Sequence, residues 1–168
     1  MDKENLDGYK NLFKRIIDVD KEIVFFCIGT DRVMGDCVGP IIGSLLRENY
    51  GQSMVYGDLE NNVTYENIET TLNEINEKFE NPYIIAIDAA LSTSENVGKI
   101  FVDNNGISFG NSLGKNFNKI GDLGIKVVVG KDYNNPDLNF NVLQNVSLSE
   151  IIKLSKKTFD RINFIMNK

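Results

Sequence analysis

The sequence predicts a three-layer α/β sandwich in which helices cover both faces of a mostly parallel central sheet. Two unbroken apolar runs, 23–28 and 83–87, are typical of strands buried on both faces of a parallel sheet. Segments with apolar residues at helical spacing alternate with such runs along the chain, which favours the same architecture. A chain of 168 residues, 42% of them hydrophobic, is long enough for a single domain over 1–168 with its own core.

The chain begins with a predicted amphipathic helix over 4–18, within an N-terminal helical extension of 1–20. The apolar face of this helix consists of Leu6, Tyr9, Phe13, Ile16 and Ile17. The first buried strand follows over 23–28 and ends at Gly29.

A second helix is predicted over 39–47, because proline is favoured in the first turn of a helix and Pro40 stands there. A short strand over 53–56 precedes the turn at Gly57. Thr64 is expected to cap the third helix. The apolar face of that helix consists of Ile68, Leu72, Ile75 and Phe79.

Three further strands are predicted in the second half of the chain. The second buried strand, 83–87, ends at Asp88. Another strand, 97–102, leads into a turn at 104–106, and the last one covers 124–129.

The C-terminal helix is predicted to begin at Ser147, where Ser147-Leu148-Ser149-Glu150 forms a capping box. Its expected buried residues are Ile151, Ile152, Phe159, Ile162 and Met166. Residues 110–121 are rich in glycine and asparagine, and their form stays open.

The composition excludes several classes of chemistry. The chain has 24 acidic and 18 basic residues, a net charge of −6 and no histidine. Without an imidazole there is no Ser-His or Cys-His nucleophile pair and no zinc site built on histidine, so acid–base chemistry must rest on carboxylates, Lys, Tyr or Cys. The acidic balance also argues against a nucleic-acid partner, which requires a basic patch to neutralise phosphates.

The cysteines and the apolar runs indicate a cytoplasmic protein. Cys27 and Cys37 form no CxxC pair, and no apolar signal segment opens the chain. The longest apolar runs, such as 23–28, are far shorter than a membrane span, so no membrane partner is expected.

Two aspartates are the main candidates for chemistry. In a parallel α/β sheet, the ligand crevice lies outside the carboxyl ends of the strands. Asp36 follows the first strand and Asp88 ends the second, so both can reach one crevice, where one carboxyl could act as general acid and the other as general base. Two alternatives stay open at this point: Asp36 could cap the following helix, and Asp88 could be a turn residue bound to its own loop.

Several short motifs resemble the signature of one family. The segment Cys27-Ile28-Gly29-Thr30-Asp31-Arg32, continued by Gly35-Asp36 and Gly39-Pro40, resembles the YyaC family, whose members are described as sporulation proteins. Further matching segments follow in the same order: Val55-Tyr56-Gly57, Ile85-Ala86-Ile87-Asp88-Ala89, Val97-Gly98, Gly121-Asp122 and Val142-Leu143-Gln144-Asn145. Together they cover 22–150, so the resemblance is not confined to one motif.

The YyaC family is itself similar to the germination protease of spore-forming bacteria, which degrades small acid-soluble spore proteins, and more distantly to the hydrogenase maturation endopeptidases. This resemblance implies a phosphorylase/hydrolase-like sandwich, a location in the forespore or spore core, and a homo-oligomer. It also implies that Asp36, in Asp36-Cys37-Val38-Gly39-Pro40, and Asp88, in Ile87-Asp88-Ala89, form the catalytic pair.

The chain departs from these relatives at several positions. The hydrogenase-processing relatives sense nickel with a histidine and two acidic residues, so this chain, which has no histidine, is not expected to sense nickel. No metal ligands and no cofactor are predicted. Thr64-Tyr65 stands where typical YyaC sequences carry a histidine, and Cys37 replaces a serine. Cys37 is not expected to be a nucleophile, because the neighbouring carboxylate of Asp36 raises the pKa of its thiol. The chain is also shorter than the germination protease, so substrate choice and self-processing do not carry over.

Four further polar residues are weaker candidates for binding substrate or for supporting the pair. Arg32 could pair with Asp31, with Asp36 or with a substrate carboxylate, or it could be a solvated loop residue. Asp58 and Asp122 fall in predicted loops, where hydrogen bonding within a turn is the more ordinary role.

Two functions remain at the level of sequence. The first is an aspartate-dependent endopeptidase-like hydrolase that acts on a peptide or a small spore protein. The second is a non-catalytic sporulation factor that binds a peptide or partner protein in the same crevice. The fold alone does not separate them, because function resides in sites. The relative placement of the Asp36 and Asp88 carboxyls is the structural observation that bears on the choice.

Overall fold

One five-stranded sheet organises the part of the chain described by the computed structural model, residues 20–108 and 119–167. The strands are β1 (Ile23–Cys27), β2 (Val55–Tyr56), β3 (Tyr83–Ser92), β4 (Ile100–Asp103) and β5 (Leu123–Lys131). They lie in the order β2-β1-β3-β5-β4, with β4 antiparallel to β5 and the other pairs parallel. The predicted α/β fold with a mostly parallel sheet is therefore confirmed.

Helices cover both faces of this sheet. Within the described residues they are α1 (Val38–Tyr50), α2 (Ile68–Lys78), α3 (Pro136–Asn145) and α4 (Leu148–Met166). The helices α1 and α4 pack against each other on one face, and α2 covers the other. None of these helices, within the same described ranges, is both long and apolar enough to cross a membrane.

The central strands supply two hydrophobic cores, because successive side chains of a strand point to opposite faces. Phe25, Ile85 and Ile87 pack on the face of α1 and α4, while Val24 and Ile84 pack on the face of α2. Burial on both faces is what the unbroken apolar runs predicted.

The third strand is longer than predicted. The expected strand 83–87 continues to Ser92, because β5 pairs with β3 over this whole length. In contrast, β1 ends at Cys27, which pairs with Ile87. The second half of β3, which begins at Asp88, therefore has a neighbouring strand on one side only.

The region before α2 differs from its prediction in detail. Asn67, not Thr64, precedes the helix, which begins at Ile68. The Asn67 side chain accepts a hydrogen bond from the Thr64 N–H at 2.8 Å, so Thr64 opens a turn rather than capping the helix. The predicted helix over 4–18 and most of 110–121 lie outside the described residues.

Helix α3 occupies a segment where the sequence predicts no element. Its N-cap is Asn135, whose side chain accepts hydrogen bonds from the N–H groups of Asp137 and Leu138. None of its residues is fully buried, so its apolar side chains do not form the stripe by which a helix is recognised in a sequence.

The predicted inward face of α4 is correct except at one position. Ile151 and Ile162 are buried and Phe159 and Met166 are half-buried, but Ile152 is 38% exposed. Neighbouring residues of a helix point about 100° apart, so Ile151 and Ile152 cannot both face the sheet. The expectation that Ile152 is buried is therefore wrong.

Candidate functional site

A crevice of about 300 Å³ opens beyond the carboxyl end of β1. Residues 88–91 of β3 form one wall, and Tyr65, from the loop before α2, lies on another side. Gly29 and Thr30, where the chain leaves β1, and Leu143 of α3 complete the lining. The crevice thus lies at the carboxyl ends of the parallel strands, where ligands bind in open α/β sheets.

Asp36 lines this crevice from the 3₁₀ turn of Met34–Cys37. The turn is packed closely against the loop that leaves β1: Gly29 has a φ of +140°, and a Cβ there would lie 2.1 Å from the Asp36 carbonyl oxygen. Only glycine fits at this approach. Cys37 occupies the N-cap position of α1 and no side chain caps that helix, so capping is not the role of Asp36.

Asp88 lines the same crevice from within β3. It lies opposite Lys126 of β5 in the ladder, and the neighbouring Ala89 N–H helps to lower the pKa of its carboxyl. Because Asp88 belongs to a strand, the alternative of a turn residue does not hold. The structure thus brings Asp36 and Asp88 to one crevice.

The two carboxyls interact electrostatically. Burial raises the pKa of Asp88 well above its usual range, and the negative charge of Asp36 raises it further, while the Ala89 N–H and the Lys126 ammonium oppose the shift. Burial also raises the pKa of Asp36. Two carboxyls that repel each other in a partly desolvated crevice do not ionise at the same pH. Asp88 therefore keeps its proton over a pH range in which Asp36 is ionised.

Tyr65 is a polar group of the crevice that the sequence analysis did not select. Its side chain lines the crevice although the residue is 60% exposed. Partial burial and the charges of Asp88 and Asp36 raise the pKa of Tyr65, so its phenol stays protonated and can donate a hydrogen bond. The signal in the sequence was that Thr64-Tyr65 stands at the position where typical YyaC sequences carry a histidine.

Lys126 is a second residue that the sequence analysis missed. Its positive charge acts on Asp88 and lowers the pKa of that carboxyl, and its Nζ lies 3.9 Å from Asp103 Oδ2. The signal in the sequence was a charged residue inside the apolar run of β5. Its place beside Asp88 could be known only from the pairing of β3 with β5.

The crevice supplies the groups needed for proton transfer. At a pH between the pKa values of the two carboxyls, it contains a carboxylate that can accept a proton, a carboxyl that can donate one, and a phenol. Among the described residues, no three His, Cys, Asp or Glu side chains are grouped so that they could hold a metal ion.

Asp31 and Arg32 lie in the exposed loop after β1 and do not line the crevice. Their N–H groups donate to Asn62 Oδ1 and Thr30 Oγ1, each at 3.2 Å. Burial and the negative charges of Asp31 and Asp36 raise the pKa of the Cys37 thiol, so Cys37 is a poor nucleophile.

Asp58 lies outside the crevice and organises the loop after β2. It is 3% exposed, forms an ion pair with Arg47, and accepts hydrogen bonds from the N–H groups of Glu60 and Asn61 at 2.8 Å each. These contacts give Asp58 a structural role.

Asp122 lies at the opposite end of the sheet from the crevice. Its Oδ2 accepts a hydrogen bond from the Ile84 N–H, and its own N–H donates to the Ile84 carbonyl oxygen, both at 2.8 Å. Asp122 thus holds together the amino ends of β3 and β5 and does not reach the site of Asp36 and Asp88.

Two solved structures share this fold. The [NiFe] hydrogenase maturation protease HycI from Thermococcus kodakarensis KOD1 superposes with a TM-score of 0.61 and 14% sequence identity, over 94% of this chain and 99% of HycI. Peptidyl-tRNA hydrolase from Acinetobacter baumannii superposes with a TM-score of 0.58 and 12% identity, over 83% of each chain. At such identities the similarity shows the α/β fold alone.

Sequence comparison identifies the family. The protein YyaC of Bacillus subtilis (strain 168), which bears the name "uncharacterized protein", is 32% identical over 136 residues. The matched part is 80% of this chain and 65% of YyaC, so the chain spans less than two-thirds of the length of this relative. Residues 1–161 match the family described as "protein of unknown function (DUF1256)". The chain therefore belongs to the DUF1256 family, in agreement with the resemblance of its motifs to YyaC.

Proposed function

We propose that the crevice is an active site that hydrolyses peptide bonds, with Asp36 as general base and Asp88 as general acid. The observation that carries this proposal is the interaction of the two carboxyls in one crevice, where the charge of Asp36 helps to keep a proton on Asp88. A pair of carboxyls with separated pKa values is suited to catalysis in which one accepts and the other donates a proton.

The proposed reaction begins when the Asp36 carboxylate takes a proton from a water molecule. The oxygen of that water attacks the carbonyl carbon of the peptide bond and forms a tetrahedral intermediate. The C–N bond then breaks as Asp88 donates its proton to the leaving nitrogen. Exchange of one proton with solvent returns Asp36 to the ionised form and Asp88 to the protonated form.

Tyr65 is proposed to assist at the negatively charged oxygen of the intermediate. Its phenol lines the same crevice as both carboxyls, and its raised pKa keeps the donor proton in place. A hydrogen bond to an oxygen that becomes charged in the transition state lowers the barrier, because the bond strengthens as the charge develops.

The family resemblance supports a role for this activity in sporulation, with the protein in the cytoplasm of the forespore or in the spore core. Small acid-soluble spore proteins are then the first substrates to test. By the same resemblance, the protein is proposed to form a homo-oligomer.

A non-catalytic role is the second candidate. The second half of β3 has a neighbouring strand on one side only, and such an edge can hold a peptide without any chemistry. In this case the protein is a sporulation factor that binds a peptide or partner protein in the crevice.

The test is to incubate the protein with purified small acid-soluble spore proteins and with a peptide library, and to detect products by mass spectrometry. The native chain and Asp31→Asn, a matched control at an exposed position outside the crevice, should cleave. Asp36→Asn and Asp88→Asn should not. Cleavage that persists in both crevice variants would refute the mechanism, and binding of a peptide without cleavage by the native chain would favour the second candidate.

A further inference from the structure

The second half of β3 presents an unpaired strand edge to the crevice. Pairing with β5 continues to Ser92, whereas pairing with β1 stops at Ile87. Over the residues that the structure describes, no strand lies beside 88–92 on the β1 side. The same residues, from Asp88 to Leu91, form a wall of the crevice.

Two hydrogen bonds establish the direction in which the backbone groups of β3 point. The Ile28 N–H donates to the Ile87 carbonyl oxygen at 2.7 Å, so the backbone of Ile87 faces β1. The Ser92 carbonyl oxygen accepts from the Asp132 N–H at 2.7 Å, so the backbone of Ser92 faces the β5 side. In a strand, odd and even residues direct their backbone groups to opposite neighbours.

Ala89 and Leu91 therefore direct their backbone groups toward the β1 side of β3, beyond the point where β1 ends. The Ala89 N–H lies on the same side and helps to lower the pKa of the Asp88 carboxyl, which lines the crevice. The Ala89 carbonyl and the N–H and carbonyl of Leu91 have no backbone partner within 20–108 and 119–167. One donor and two acceptors thus face the crevice at the spacing of a strand.

The loop of Thr64 and Tyr65 lines the same crevice as this edge. Ile28 is bridged on its other side to Val63, and the Gly29 N–H donates to the Val63 carbonyl oxygen. Neighbouring strands lie about 4.8 Å apart, so the two chains that flank Ile28 are separated by about 10 Å. Beyond Gly29 the chain turns away, which leaves a gap between Tyr65 and 88–91, called here the β3 slot.

We propose that the β3 slot binds the substrate as an extended peptide, which adds to the sheet as a strand beside 88–92 in the place that β1 vacates. This inference deepens the proposed function and rests on it for the identity of the ligand as a polypeptide. The peptide donates to the Ala89 carbonyl and accepts from the Leu91 N–H, as in other sites of strand addition. Its residues at the base of the slot then lie beside Asp36 and Asp88.

The chemistry of the slot favours a peptide over other occupants. The carboxyls of Asp36 and Asp88 at its base disfavour a polyanion such as RNA. Alanines at 89 and 90 leave space for the side chains of an added strand, and Leu143 offers one apolar contact. Because the backbone makes the main contacts, we infer that the substrate is any flexible, extended segment with modest sequence preference, and not a folded helix.

The first test uses a phage-displayed library of random dodecapeptides, panned against Asp36→Asn, which keeps the slot and lacks the proposed base. Selected peptides are synthesised with one N-methyl group at each position in turn. Loss of a backbone hydrogen bond should weaken binding about tenfold at every second residue of a central stretch, and much less at the residues between. Failure to select any binder, or losses without a period of two, would overturn the inference.

The second test observes the protein backbone. Binding of a selected peptide should slow hydrogen exchange of the Leu91 amide at least about tenfold, because a new hydrogen bond protects it, and leave the Ala90 amide, which faces β5, unaffected. Leu91→Pro removes the N–H without touching the β5 ladder, and it should bind about tenfold more weakly than Leu91→Ala, which keeps the N–H. If Leu91→Pro does not fold, the exchange measurement and the N-methyl series decide.

The outcomes distinguish failure of this inference from failure of the proposed function. Peptides that bind with a period of two but are not cut by the native chain support the β3 slot and refute hydrolysis. Peptides that are cut, but whose binding is insensitive to N-methylation and to Leu91→Pro, support hydrolysis and refute the slot.

Discussion

Two aspartates of this protein, the buried Asp58 and the half-buried Asp88, have different surroundings. Asp58 forms an ion pair with Arg47 and accepts two backbone hydrogen bonds, so its charge is compensated. Burial and the negative charge of Asp36 raise the pKa of Asp88, and the Ala89 N–H and the charge of Lys126 offset this rise only in part. The first aspartate holds a loop and lines a separate cavity, whereas the second lines the crevice that it shares with Asp36.

The comparison shows how a functional carboxyl differs from a structural one. A buried carboxylate that is paired and hydrogen-bonded contributes to a defined loop conformation. A buried carboxyl beside a second carboxyl carries an electrostatic cost, and such costs are concentrated at sites that transfer protons. Substitutions in the Asp58 loop should therefore act on stability, and substitutions in the crevice should act on activity.

The largest expected effect is on catalysis. Asp36→Asn and Asp88→Asn should each lower kcat/KM for peptide cleavage by at least about 100-fold, because each removes a proton-transfer group. The double variant should be little worse than either single variant, since both carboxyls act in one reaction sequence. Product formation from a peptide that the native chain cleaves measures these rates. Losses that multiply in the double variant would show that the two aspartates act independently.

Breaking the Asp58 pair should act on stability instead. Asp58→Asn leaves the Arg47 guanidinium without its counter-ion and should lower the free energy of unfolding by about 2–4 kcal/mol. The loss is smaller than for a fully buried pair, because the Arg47 side chain is 27% exposed. Urea unfolding measures the change. A stable Asp58→Asn that has lost cleavage would place Asp58 in the site and contradict the comparison.

Removal of the Tyr65 hydroxyl should have a smaller effect on the reaction. Tyr65→Phe should lower kcat about tenfold with little change in KM, because the hydrogen bond is proposed to form chiefly in the transition state. Stability should hardly change, since the residue is 60% exposed. Steady-state kinetics on the same peptide provides the measurement. An unchanged kcat would remove Tyr65 from the mechanism.

The smallest expected effect is on the pH dependence of stability. Asp88 and Asp36 have raised pKa values in the folded protein. The folded chain then holds protons that the unfolded chain releases. The stability that the two carboxyls contribute is therefore fully present below the unfolded pKa of about 3.9 and is lost as pH rises through the folded pKa. Asp88→Asn removes one of the titrating carboxyls and therefore its loss of stability at higher pH.

The melting temperature of Asp88→Asn should therefore exceed that of the native chain at pH 7.5, and the difference should shrink toward pH 4. Thermal unfolding at a series of pH values, with Asp31→Asn as the exposed control, tests this prediction. A difference that grows toward acidic pH would mean that Asp88 is stabilised as a carboxylate.

The fold could be predicted from the sequence because its strongest signals are local. The apolar runs of β1 and of the first half of β3 are buried on both faces, and these runs, together with the alternation of strands and helices, predict a parallel sheet. The extension of β3 to Ser92 could not be predicted, since it depends on pairing with β5. Helix α3 also escaped prediction, because none of its residues is fully buried.

The candidate site could be predicted only in part, for a similar reason. Asp36 and Asp88 follow or lie within buried strands, so the position of the crevice in this fold selects both. The bridge between Ile28 and Val63 places Tyr65, and the register of β3 with β5 places Lys126. No local sequence pattern contains this information. Tertiary pairing, not residue type, brings Tyr65 to the crevice and places Lys126 opposite Asp88 in the sheet.

The pKa values of Asp36 and Asp88 show whether the two carboxyls interact. They can be measured from the chemical shifts of the labelled carboxyl carbons in an NMR titration. We expect Asp88 to titrate well above the usual range of an aspartate, and its pKa to fall in Asp36→Asn because the repelling charge is removed. An Asp88 carboxyl that titrates in the usual range, or whose pKa does not respond to the loss of Asp36, would contradict a crevice shared by two interacting carboxyls.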